Sequence, residues 1–421
     1  MNHLIKGRLV VPAGLIVVGI MVACRGSDSQ KAQEGPLNGL EDSGRADVRQ
    51  PDAAAPDAEQ LDCAPPDAGP DARTDAAQDA PTEPPDSGPV VFRPSNLPAG
   101  ICDTATSKEL VVAANETAGI DPDRDCDLVI PQGPDLQEIC VRIYSTVKIA
   151  GRYLANGGRR AAAIVATKSF TLESSGKIDM VHPGPNILIW SPGADLRGSG
   201  SKGSGVSGGG GGGQVTSPGA RGGSSGGAGG PQYGDPTSRQ LIGGGFGGYG
   251  GESARPQQDP VPPGGPGAAM QFVSCGEMTV AGTMDASGSG GAVGNYAPEY
   301  GGGGAGGGAG GMILIEATKV TASGGKILAR GGQGGAGGAV LYGVDILLYG
   351  GAGGQGGTGA SPPTEGENAK VTHDPMPPGK YSGAGGGGGA VGRILINVPR
   401  GTSPVLTGVE IDPPAVIGTT N

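Results

Sequence analysis

This chain of 421 residues is short of the side chains that usually carry chemistry. It has 3 His, 1 Trp and 4 Phe against 89 Gly and 37 Pro. Only His182 and His373 lie beyond the amino-terminal segment, so general bases are scarce. No two cysteines form a C-x-x-C pair, and with so little His a zinc site has no ligand set. No G-x-x-x-x-G-K-[ST] occurs, despite abundant Gly, so a phosphate-cradling loop of that kind is excluded. G-x-G-x-x-G hits mean nothing without a strand-to-helix context. G-x-S-x-G matches, as around Ser207 and Ser224, neither follow a strand nor open a helix, as a nucleophile elbow must. Trp190 and the sparse aromatics give little platform for stacking on sugars. Basic residues nowhere cluster, which argues against a nucleic-acid interface.

What is present is a repeat. In 312–332 the apolar residues alternate in three beats, Ile313/Ile315, Val320/Ala322 and Ile327/Ala329, each punctuated by polar or Gly residues. A period of two marks half-buried strands. The same beats recur as Val141/Ile143, Val147/Ile149 and Tyr153, and as Ile164/Ala166, Phe170/Leu172 and Ile178/Met180. They return as Met270/Phe272, Met278/Val280 and Met284/Ala286, and RILINV at 393–398 repeats the first beat alone. Three short strands cannot bury their own apolar face, whereas stacked blocks cover one another. Burying one Ile or Leu contributes roughly 1.5–3 kcal/mol, so such columns can support a domain without helices. The expected fold is all-β: a glycine-rich parallel β-solenoid, right-handed by the crossover rule. The alternative is an antiparallel β-sandwich. If the blocks stack, Ile149, Leu172, Val280 and Val320 lie over one another.

The amino terminus reads differently. Residues 1–23 open with Lys6 and Arg8, continue with an apolar run and end at small Ala23 before Cys24. The run is shorter than the roughly 20 residues of a membrane-spanning helix, and it reads as a secretory signal. Met21-Val22-Ala23-Cys24 resembles the lipobox of bacterial lipoproteins, with Met in place of the commoner Leu. The resemblance implies cleavage before Cys24 and diacylglycerol on its sulfur. Arg25 stands where Asp commonly signals inner-membrane retention, so by analogy the anchor lies in the outer membrane or at the cell surface.

Residues 24–94 form the anchor and a linker in which Pro-Asp-Ala steps recur. Within 25–92 there are 15 acidic and 5 basic residues, a net charge of −10. Too little apolar surface is available to offset ordering entropy, so disorder is expected. Proline and self-repulsion favour extension, about 3.1 Å per residue where polyproline-like. The linker reads as a stalk.

Residues 95–140 read as a cap, and 141–421 as the Gly-rich β-repeat domain. With Cys24 lipidated, five thiols remain, and an exported protein meets oxidising conditions. A bridge is expected within Cys102, Cys126 and Cys140, with Cys275 buried as a small hydrophobe. The insertion at 185–267 and the tracts at 208–213, 301–311, 331–338, 350–357 and 385–389 leave two outcomes open. An isolated Gly-rich chain is coil; packed against itself it can adopt a threefold extended helix. Each run begins or ends at a repeat block, which favours ordered loops, pinned by Phe246, Tyr249, Tyr296 and Tyr300.

The stretch 147–179, the VAGTMD at 280–285, and the Gly tracts leading into strands at 301–315 and 385–396 resemble a group of large exported Gly-rich bacterial proteins. No activity follows from that resemblance.

Two constellations remain. Asp121, Asp123 and Asp125 alternate as hard ligands for calcium often do, although Cys126 and Gln132 replace the Gly and Glu of an EF-hand loop. Asp179 and Asp285 occupy the same place in their blocks, and paired carboxylates are what a glycan-cleaving enzyme needs; Leu328 breaks the row. The expected function is therefore a non-enzymatic surface lipoprotein with a structural, adhesive or display role. It would hold the membrane by its lipid and meet a glycan or protein ligand. The alternatives are a carbohydrate-active solenoid enzyme and a calcium-stabilised binding module.

Overall fold

The computed structural model describes residues 92–134, 136–155, 157–180, 196–204, 207–214, 216–224, 226–251, 261–296, 301–342, 345–349, 351–368, 370–371 and 382–420. All of them fall in the unit Thr82–Asn421. Among the described residues there is no α-helix; the chain is all-β, with two sheets of parallel strands.

Each layer pairs a strand of the first sheet with a short strand of the second after a tight turn. The layers are β1 (Glu109–Val112) with β2 (Thr117–Ile120), β4 (Ile139–Ile149) with β5 (Arg152–Ala155), and β6 (Ala161–Leu172) with β7 (Lys177–Asp179). They continue as β8 (Ala269–Val280) with β9 (Thr283–Asp285) and β10 (Met312–Ser323) with β11 (Lys326–Leu328). The last layer is divided into β15 (Arg393–Pro399), β16 (Val405–Thr407) and β17 (Glu410–Asp412), and β18 (Val416–Thr420) returns to pair with β15. The first sheet runs β1-β4-β6-β8-β10-β15-β18 and the second β17-β11-β9-β7-β5-β2. The exceptions to parallel pairing are β3 (Leu128–Ile130), antiparallel to β4, and a small sheet of β12 (Val340–Tyr342), β13 (Asp345–Tyr349) and β14 (Lys370–Val371). The arrangement is consistent with a β-solenoid-like or β-helical fold, and parallel pairing excludes the antiparallel sandwich.

The core lies between the two sheets. Ile149, Leu172, Val280 and Ala322 are register partners in one column, and Tyr153, Ile178, Met284 and Ile327 in another. Phe170 and Phe272 meet edge to face, 5.8 Å between centroids, a favoured geometry for two rings. Val320 departs from expectation: it stacks on Met278 rather than Val280, and is buried all the same. Val141 and Ile143 also depart, because they face away from the inter-sheet core and join a second cluster with Ala163, Val165, Leu314 and Leu395. In β6, β8, β10 and β15 the first half of the strand is buried on both faces. Over that outer face runs the segment 92–104, with Phe92, Leu97 and Ile101 packed on it. Residues 95–140 are thus more than a cap, since β1 and β2 already form the first layer.

The glycine tracts pack against one another. In 302–311 the amides of Gly302, Ala305, Gly308 and Gly311 donate to one tract, at Asn295, Ala292, Ser289 and Ala286. Gly303, Gly306 and Ala309 donate to a second, at Gly251, Gly248 and Gly245, and Gly304, Gly307 and Gly310 to a third, at Ala384, Gly387 and Ala390. The partner changes with every residue and returns at every third, as a threefold extended helix dictates. Its carbonyls accept from three more tracts, through Gly209 and Gly212, Gly264 and Gly267, and Gly332, Gly335 and Gly338. The tract therefore has six neighbours in hexagonal array. Tracts 207–213 and 383–392 show the same coordination. Tracts lead straight into β8, β10 and β15 and continue from β9 and β11, so the bundle is an extension of the layers. Tyr296 does not pin it, being 60% exposed, and Tyr300 lies outside the described residues. Tyr233 does: it is buried, its hydroxyl donates to the Gly243 carbonyl, and it packs against Gly198.

Candidate functional site

β7 and β9 are adjacent, and their register sets Asp179 directly beside Asp285. Leu154 flanks Asp179; Leu328, then Asp412, follow Asp285. The expected row exists, with the expected break at Leu328. Its carboxylates are engaged by neighbouring side chains and backbone. Asp179 is 5% exposed, and its carboxylate takes Arg152 Nε at 2.6 Å and Lys177 Nζ at 2.7 Å. Both oxygens of the carboxylate are thus engaged in ion pairs within the sheet. Asp285 Oδ1 accepts from the Ser287 amide at 3.0 Å, bracing the turn out of β9. Asp412 pairs with Arg330 and accepts from the Gly359 amide at 2.6 Å. Lys326–Glu410 continues the cross-strand pairing on this sheet, and Lys148–Glu173 and Lys319–Glu277 pair neighbouring layers on the first.

Asp121, Asp123 and Asp125 are turn residues. Asp121 Oδ1 accepts from the Asp123 amide and Asp125 Oδ2 from the Asp121 amide, both at 3.0 Å. Asp123 Oδ1 accepts from the Arg159 amide at 2.9 Å. Their oxygens face three separate backbone partners instead of one centre. Among the described residues, no group of three or more His, Cys, Asp or Glu side chains is placed to hold a metal ion. Carboxylates that serve Asx-type turns account for the alternation that suggested calcium.

Asp127 next door joins the first layers. It accepts from the Ile143 amide at 2.8 Å and pairs with Lys108 at 3.0 Å and with Arg142. Burial pushes this carboxyl up, but the Ile143 amide, Lys108 and Arg142 together outweigh it and hold it below the ordinary 3.8. A carboxyl depressed on folding stabilises the folded chain above its unfolded value, and that contribution is lost as pH falls through the folded value. Asp127→Asn is expected to cost about 1 kcal/mol or less at pH 7, since the site is part-exposed. The gap in melting temperature from wild type should narrow as pH falls below that ordinary value; a gap unchanged across that range would contradict the assignment.

Cys126 is bonded to Cys140, within the expected group, and Cys102 to Cys275. Cys275 is therefore a covalent partner and not merely a small hydrophobe. The register brings β8 beneath the segment carrying Cys102, a juxtaposition across 173 residues that spacing cannot reveal. Ser207 and Ser224 sit in the glycine bundle, where the Ser207 hydroxyl donates to the Ser224 carbonyl at 3.0 Å. Cys24, Cys63, His182, Trp190 and His373 lie outside the described residues.

Sequence reading missed Glu316. On the outer face of β10, with no exposed surface, its carboxylate accepts from the Ser95 amide at 2.9 Å and the Ser95 hydroxyl at 2.7 Å. It also accepts from Gln271 Nε2 at 2.6 Å and Asn397 Nδ2 at 2.9 Å. The available signal was polarity in apolar company: Gln271, Glu316 and Asn397 each interrupt or end a run of large apolar residues.

Among the described residues no helix is long and apolar enough to cross a membrane. No protein-family model, curated protein or solved structure matches the chain.

Proposed function

We propose that this chain is a non-enzymatic lipoprotein of the cell envelope, displaying a Gly-rich β-solenoid on an extended acidic stalk, with a structural or adhesive role. One observation carries the reading: the paired carboxylates Asp179 and Asp285, the best catalytic candidates, are committed to ion pairs and a turn. What is left is a body built for rigidity. Two acyl chains on Cys24 would give stable membrane attachment where one would be marginal, and the net charge of −10 over residues 25–92 supports the reading of a stalk.

The test is lipid attachment. Labelled fatty acid should enter the wild-type protein in a bacterial host, and the protein should partition into detergent. Cys24→Ala should lose both label and partitioning. An unlabelled wild-type protein, or a Cys24→Ala variant that still partitions, would overturn the proposal.

A further inference from the structure

A stack of parallel layers has a mechanical weakness. A pull on its amino-terminal end enters at the edge strand, and each layer has only its neighbour to hold it, so layers peel one after another. Here chain entry would load β1, the edge of the first sheet. Two features ahead of β1 intervene. Ser95 is clasped to buried Glu316 on β10, and Cys102 is bonded to Cys275 on β8. β8 is the middle strand of the seven in the main path of that sheet, hydrogen-bonded to β6 on one side and β10 on the other.

We propose that the segment 92–104 is a force-diverting strap: the Glu316 clasp and the Cys102–Cys275 bond carry load from upstream into the centre of the stack, by-passing its first three layers. Tension arriving at Phe92 first meets the clasp. If that yields, it meets a covalent bond into a strand that can leave only by breaking hydrogen bonds on both of its edges. Residues 103–274 then carry no load. This inference rests on the reading of a tethered surface protein, where such tension would arise, but the property belongs to the fold and is measured apart from lipid attachment.

The experiment is single-molecule pulling on the full chain. One handle is attached upstream of Phe92 and the other at exposed Gln333, replaced by a residue bearing a bio-orthogonal group. With the bridge intact, the rupture that follows release of the clasp should come at high force and free none of residues 103–274. In the Cys102→Ser/Cys275→Ser variant, folded by circular dichroism, rupture past the clasp should begin at no more than about half that force. Release should come in unequal steps, since the strands that open successive layers start at 109, 139, 161 and 269: about 100, 75 and 370 Å of chain at 3.3–3.6 Å per residue. Should the variant not fold, the wild-type chain pulled with and without reductant gives the same comparison, with Cys126→Ala/Cys140→Ala as control for the other bridge. Equal rupture forces with and without the bridge, or an unbridged chain that does not yield from β1, would overturn the strap. Failure of Cys24 to take up lipid would instead remove the tether and leave this result standing.

Discussion

Gly306→Ala should be among the most damaging single changes in this protein, costing about 3 kcal/mol or more. A Cβ built there lies 1.9 Å from the Gly210 carbonyl oxygen and 2.4 Å from its carbon. Overpacking a core usually costs about 1–3 kcal/mol because side chains shift to make room. The obstacle here is backbone, fixed by hydrogen bonds to neighbours that are fixed in turn. Gly210 donates to Ser201 and accepts from Gly248, so moving it disturbs two further tracts, and any amide stranded in the interior adds its own cost. The comparison is Gly290→Ala, on an outer tract, where the new methyl meets only the Gln333 carbonyl oxygen at 3.5 Å. That change should be neutral, or stabilising by about 0.4–1 kcal/mol through reduced freedom of the unfolded chain. Thermal melts of the two variants decide the matter: similar melting temperatures would mean that the hexagonal packing of the tracts is wrong.

The same contrast shows what the sequence made legible. The three-beat blocks are readable because one apolar column per beat imposes a period of two, and the order of blocks along the chain is the order of layers. Asp179 beside Asp285 follows from that alignment alone. The outer face was not readable from alternation. Val165, Val273 and Leu314 are buried beneath the strap and neighbouring loops, and a half-strand apolar on both faces has no alternation to show. The glycine bundle was half legible. Outer tracts read Gly-Gly-X, as at Gln333 and Ala336 or Phe246 and Tyr249, and a residue every three points one way from a threefold helix. Unbroken runs such as 208–213 and 385–389 carry no such phase, yet they are the tracts with six neighbours, where no direction is free for a side chain. Which tract pairs with which depends on tertiary placement, as does the long reach from Cys102 to Cys275.

Glu316→Ala is the second large effect, and it tests how the strap is held. Removing the carboxylate leaves the Ser95 amide and the donors of Gln271 and Asn397 facing an apolar gap in a fully buried site. Hydrogen bonds to a charged group contribute about 1.5–3 kcal/mol each and their loss is only partly additive, so a cost of about 3 kcal/mol or more is expected in a urea melt. Glu316→Gln preserves the shape but turns one acceptor into a donor that faces other donors, and should cost about 1–3 kcal/mol. The Ser95 amide should exchange with solvent much faster in both variants, while Ile149 and Leu172 amides in the stack keep their protection. Because Cys102–Cys275 holds the other end of the strap, combining Glu316→Ala with Cys102→Ser should cost more than the sum of the two, freeing a segment that either fastening alone retains. Strict additivity would mean that clasp and bridge act on separate parts of the molecule, and the idea of a single strap would fail.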